Sequence, residues 1–146
     1  MCPRASGWER ALTVSDDTIG SLRSSYEALC RTGEWPDDGL LASNFELRQD
    51  RFVEATTIPR GSDAPGELLR RLSAAFRDIS FEVERLVEAP HGEVVVIVRT
   101  RALGQGSGIA VDKRQAHVWR FADGTATRMT VYGQAPEALK AVGLAE

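Results

Sequence analysis

Apolar positions recur along this chain at two periods, and the change from one to the other divides it. From Ser15 onward, Ile19, Leu22, Tyr26, Leu29 and Cys30 fall at helical spacing. Ser15 can cap that helix, and Asp16 and Asp17 occupy its first turn, where carboxylates meet the positive end of the helix dipole. Gly33 ends the element as a left-handed cap would. The chain restarts at Trp35-Pro36-Asp37-Asp38, and Leu40, Leu41 and Phe45 predict a short second helix leading into a strand over 45–49. Prolines, Gly61 and small polar residues make 54–65 a loop. A third helix opens at Pro65-Gly66, with Leu68, Leu69, Leu72, Phe76 and Ile79 opposite Arg70, Arg71 and Arg77.

Beyond that helix the period drops to two. Phe81, Val83 and Leu86 alternate with charged residues in a strand ending near Pro90, and His91-Gly92 makes a turn. Strands are predicted over 93–103, 109–121 and Thr125–Tyr132, joined by the glycine run Gly104 to Gly108 and by the hairpin signal Asp123-Gly124. A short helix over 136–142 closes the chain at Gly143. Helices first and an antiparallel meander afterwards define an α+β protein. Residues 1–14 show no period and are expected to be a flexible N-terminal extension, leaving 15–146 as one domain.

Side chains alternate across a strand, so each run can be sorted into faces. Val94, Val96, Val98 and Thr100 share one face of the first long strand, and Val95, Ile97, Arg99 and Arg101 the other, which the arginines mark as outer. On the next strand Val111, Gln115, His117, Trp119 and Phe121 point inward, with Lys113 among them. Met129 and Val131 of the last strand join that set. A curved sheet covered by helices leaves a cavity of the kind that binds small molecules. A mixed outer face, with Ile97 between arginines, predicts a homodimer through that face.

Composition narrows the function. The net charge of −3, from 18 basic and 21 acidic residues, lacks the excess that a phosphate backbone would attract, so nucleic acid is not expected. No apolar run is long enough to cross a membrane. Cys2 and Cys30 form neither a disulfide framework nor a metal-ligand spacing, and with His91 and His117 they give no metal site. No secretory segment precedes the first helix, so the expected location is cytoplasmic. No cofactor is implied, and the glycine run precedes no helix that could cradle a phosphate.

The order of elements, with the segments Tyr26-Glu-Ala-Leu-Cys-Arg-Thr-Gly33 and Ala116-His-Val-Trp-Arg-Phe-Ala-Asp-Gly124, resembles the SnoaL-like polyketide cyclase family of the nuclear transport factor 2 (NTF2-like) superfamily, relatives of ketosteroid isomerase. The resemblance implies an NTF2-like cone, a curved and mostly antiparallel sheet wrapped around a pocket covered by N-terminal helices. It also implies that Tyr26 falls where the isomerase has a tyrosine that hydrogen-bonds the substrate oxygen, and His117 where it has a pocket aspartic acid. The isomerase's general base would fall near Leu47, and the last-strand aspartate of the cyclases at Val131, so both acids are missing. Val96 and Val98 stand where the epoxide hydrolase branch has its polar pair, which removes that reaction.

His117 and Tyr26 are therefore the candidate catalytic pair. Trp119, Gln115, Met129, Val131, Val98, Phe45 and Phe76 are the candidate substrate-binding wall. A lone inward histidine is also a common satisfied core residue, and a tyrosine on a buried stripe a common packing residue. Asp50 and Glu46 are the acids nearest the strand mouth. The expected function is binding of a hydrophobic, oxygen-bearing small molecule, with isomerase- or cyclase-type proton transfer beside a carbonyl. The alternative is a non-catalytic binding or dimerisation module.

Overall fold

Helix α1 (Asp16–Thr32) buries the stripe its spacing dictates: Ile19, Leu22, Tyr26 and Leu29 are all inside. Cys30, though it shares the spacing, lies on the exposed side. Gly33 ends the helix at φ 80°, donating its N–H to the Leu29 carbonyl at 2.7 Å, a conformation that a Cβ would strain. The computed structural model describes residues 16–36, 39–49, 60–90 and 92–143. The predicted extension over 1–14, Cys2, Asp50, the first half of the 54–65 loop (54–59) and His91 lie outside these.

After α1 come β1 (Leu41–Gln49), α2 (Ala64–Ala75), β2 (Phe76–Glu88), β3 (Val94–Gly104), β4 (Ala110–Ala122), β5 (Thr125–Tyr132) and α3 (Ala135–Ala141). The strands form one curved, unclosed sheet in the order β1-β5-β4-β3-β2. Only β1 and β5 run parallel; β2 to β5 form the expected antiparallel meander. Asp123 and Gly124, both at positive φ, make the tight turn between β4 and β5. Register shifts within β2 and between Arg120 and Phe121 of β4 mark bulges, which bend and twist the strands that carry them.

Two element boundaries differ from those predicted. No helix forms at Leu40 and Leu41: the Leu40 carbonyl accepts the Ala126 N–H at 2.8 Å, and Leu41 pairs with Ala126 at the start of β1. Adjacent leucines fit either period, and pairing with β5 decides. Helix α2 stops at Ala75, four residues before Ile79, and runs directly into β2. Phe76 takes an extended backbone and pairs with Gly104. Ile79, Phe81 and Val83 also alternate, and the hydrogen bonds offered by β3 outweigh continuation of the helical stripe.

The two faces bury different partners. Inward, Val94, Val96 and Val98 pack with Phe45, Trp119, Met129 and Val131 against α1. Outward, Val95, Ile97, Ala116 and Val118 are sealed beneath Ala138, Leu139 and Val142 of the α3 region. The sequence places Ile97 on an open outer face, but α3 leaves it only 4% exposed. What stays open is charged. Arg99 grips Asp112 through two bonds of 2.8 and 2.7 Å, and Arg114 reaches Glu84 at 2.6 Å. These pairs offset the repulsion of Arg99 and Arg114, which stand directly opposite each other across the ladder.

Candidate functional site

The inner face does not meet the helices everywhere, and a cavity of about 280 Å³ lies between them. Helix α2 forms one wall with Leu68, Leu69 and Leu72, continued along β2 by Phe76, Ile79 and Phe81. Tyr26 and Leu29 of α1, with Trp35 just beyond it, form the second. The sheet supplies the third through Val111, Lys113, Gln115, His117 and Trp119 of β4 and Met129 and Val131 of β5. Register dictates this grouping. His117 stands between Val96 and Val131, and Trp119 between Val94 and Met129, so one alternation places all six on the inner face.

At the inner end three side chains form a directed hydrogen-bond chain. The Trp119 indole N–H, which can only donate, lies 2.9 Å from the Tyr26 hydroxyl oxygen. That hydroxyl lies 2.5 Å from His117 Nδ1. The phenol oxygen could accept a second hydrogen bond, but its own proton has no other acceptor among the described residues, so the arrangement that pairs it has the hydroxyl donate to Nδ1. The proton of the neutral ring is then on Nε2. Electrostatics agree: burial lowers the His117 pKa to about 4, keeping the ring neutral. Burial likewise pushes the Tyr26 pKa far above its ordinary value, more strongly than the Trp119 hydrogen bond pulls it down. Tyr26 packs edge-on against Trp35 and Trp119, which fixes its ring.

This geometry changes the role expected of the tyrosine. The sequence reading aims two donors, Tyr26 and His117, at a ligand oxygen. In the structure the phenol proton is engaged by His117 Nδ1, and of the pair it is the imidazole Nε2–H that has no partner among the described residues. The tyrosine sets the tautomer, and the histidine presents the donor. Gln115, Gln49 and Thr100 add polar groups to the lining, and Lys113, itself exposed, joins it where the cavity reaches solvent. The Trp35 indole N–H is buried and meets no acceptor among the described residues.

Of the sequence-derived wall, Trp119, Gln115, Met129, Val131 and Phe76 do line the cavity, as do Tyr26 and His117. Val98 and Phe45 do not. Both are fully buried in the core behind it, Phe45 against the Trp119 ring at 5.7 Å, because alternation assigns a face without saying which residues on it meet open space. Glu46 faces away from the cavity. It holds Arg48 at 2.8 Å and Arg128 at 3.2 Å, and the Arg48 hydrogen bond, ahead of the arginine charges, lowers its pKa. Leu47 is packed in the inner core. The leucines of α2 were legible as a stripe but not as a cavity wall, since the same stripe would serve a filled core. Among the described residues no three His, Cys, Asp or Glu side chains gather as metal ligands, and no helix is long and apolar enough to cross a membrane.

A family model for the SnoaL-like domain matches residues 26–129. An NTF2-like protein of unknown function from Burkholderia pseudomallei K96243 is 19% identical, with a TM-score of 0.65 over 88% of this chain and 99% of that one. A SnoaL-like polyketide cyclase candidate from Jannaschia sp. CCS1 is 16% identical, with a TM-score of 0.63 over 97% of each chain. TerC, co-crystallised with polyporic acid, is 17% identical, with a TM-score of 0.61 over 86% of this chain and 96% of its own. At these identities the likeness concerns the fold. No curated protein matches the sequence.

Proposed function

We propose that this chain, which belongs to the SnoaL-like domain family, binds a hydrophobic carbonyl compound in the cavity between its sheet and helices α1 and α2. The hydrogen-bond chain from Trp119 through Tyr26 to His117 carries this reading. It holds a neutral imidazole with its Nε2–H unpartnered in a cavity whose lining is otherwise mostly apolar. Such a donor stabilises a ligand oxygen, and more strongly an enolate oxygen, by about 3 kcal/mol in a water-excluded site. Proton transfer beside a carbonyl, the isomerase or cyclase type of chemistry, needs that stabilisation. The polyporic acid complex of TerC, an oxygen-bearing ligand on the same fold, supports the ligand class.

One observation favours a second reading, binding without turnover. Among the described lining residues the titratable groups are Tyr26, His117 and Lys113, and none is a carboxylate. His117, with Nδ1 occupied, has no vacant nitrogen to take a proton from carbon.

The test pairs binding with exchange. Ketones that raise the melting temperature of the wild type are expected to lose at least tenfold in affinity to His117→Phe, which removes the donor while keeping an aromatic ring. Deuterium uptake at the carbon beside the ligand carbonyl then separates the readings: catalysed exchange marks an enzyme, and tight binding without it marks a binding module. Ketone affinity unchanged in His117→Phe would rule out the imidazole as the ligand's partner.

A further inference from the structure

The polar lining runs along β4 as a ladder, with Lys113, Gln115 and His117 at alternate positions on the concave face. At the rise of a strand, Lys113 and His117 are separated by about 13 Å, with Gln115 midway. His117 stands at the closed end and Lys113 at the mouth. A lysine directed to the inner face of a sheet, with Thr100 opposite it and Ala102 and Val111 adjacent in the ladder, is unusual, because strands normally keep charge on the solvent side.

Among the described residues no acid pairs with it. Asp112, next in sequence, points to the convex face and is held by Arg99 and Arg101. Glu84 is held by Arg114, and Glu82 pairs across the ladder with Arg99. Lys113 is the one cation among the described lining residues, and no carboxylate lies among them. The chain's net charge of −3 would repel an anion on average, so any attraction at the mouth is local.

From this juxtaposition we propose that the ligand is an acid: a hydrophobic, ring-bearing keto acid that lies along β4 with its carbonyl oxygen on His117 and its carboxylate on Lys113. The inference rests on the carbonyl-binding reading above and adds the anionic group and the direction of binding. Gln115, able both to donate and to accept, faces the middle of such a ligand. The volume lies just below the usual range for small-molecule pockets, about 300 to 1,000 Å³, so the ligand is compact, and the rings of Trp35, Phe76, Phe81 and Trp119 in the lining suit a flat ring system.

Three probes on one ring system test it: 6-acetyl-2-naphthoate, its methyl ester, and 2-acetylnaphthalene, titrated by calorimetry into the wild type, Lys113→Met and Lys113→Glu. Lys113 is exposed, so neither substitution should shift the melting temperature, and that is measured first. The wild type is expected to bind the carboxylate about tenfold more tightly than the ester. Lys113→Met should erase that preference and Lys113→Glu invert it, with the acetylnaphthalene affinity unchanged in both. The preference should shrink as salt rises from 50 to 500 mM, since an exposed cation is screened. If acid and ester bind equally and Lys113→Met alters neither, the anionic end is wrong while carbonyl binding stands. If none of the three binds the wild type, the inference falls together with the reading beneath it.

Discussion

The two faces of one sheet solve the same problem differently. On the convex face, Ala89, Ala116 and Ala138 let α3 approach closely, and Val95, Ile97, Val118, Leu139 and Val142 close the seam. On the concave face, the large rings of Tyr26, Trp35, Phe45, Trp119 and Phe121 pack on one another, Trp35 and Phe121 stacked on Trp119 and Tyr26 edge-on to it. Beside those rings, α2 packs on the inner core through Ala64, Leu68 and Leu69 and still leaves a hollow between itself and the sheet. Small residues bring a helix down onto a sheet, whereas large ones packed mutually hold an arch. Both faces bury apolar residues in alternation, yet only one encloses space.

The sharpest way to break this contrast is to remove the keystone of the arch. Trp119 touches four other aromatic rings, that of Tyr26 among them, and is wholly buried, so Trp119→Ala is expected to cost about 3–5 kcal/mol in chemical denaturation. Ligand binding should disappear with it. Leu139→Ala, in the convex seam, should cost about 2–3 kcal/mol while leaving ligand affinity at its wild-type value. An affinity loss in Leu139→Ala would show that the faces are mechanically coupled.

A smaller effect concerns protons. The His117 pKa is about 4 when folded, against about 6.5 unfolded, so between those values the unfolded chain binds more protons. Stability from this group is complete above about pH 6.5, declines as pH falls, and levels off below about pH 4. Roughly 2 kcal/mol should be lost between pH 7 and 5. His117→Gln, with His91 still present, should flatten that part of the profile, and a slope identical to the wild type would show that the ring titrates as it does in water. Least of all, Arg99→Ala should change stability by less than about 1 kcal/mol, because its bond to Asp112 is on the open convex surface.

Sequence pattern made β3, β4 and β5 legible almost to the residue, because strict alternation and an Asp-Gly turn leave one register. It also placed His117 and Trp119 on the inner face. Junctions where two periods coincide were not legible: Leu40 and Leu41 fit helix or strand, and the run from Leu68 to Ile79 fits a helix until β3 offers it hydrogen bonds. The cover over Ile97 was hidden because α3 arrives from the far end of the chain. Val98 and Phe45 were misassigned because burial and contact with open space look alike in a pattern. The engagement of the Tyr26 proton depends on which acceptors surround it, and His117 Nδ1 emerges as that acceptor only when the side chains are seen together.

The single parallel ladder carries a kinetic consequence. Every other strand pair joins neighbours in the chain, but Leu41 must find Ala126 across most of the sequence. Nonlocal pairing bears the larger loop-closure entropy, so the four-stranded meander should assemble early and β1 dock late. Until it docks, Met129 and Val131 lack the neighbours Leu47 and Gln49. The hollow would thus be completed by the slowest step of folding, and a ligand present during refolding would act on that last association rather than on the meander.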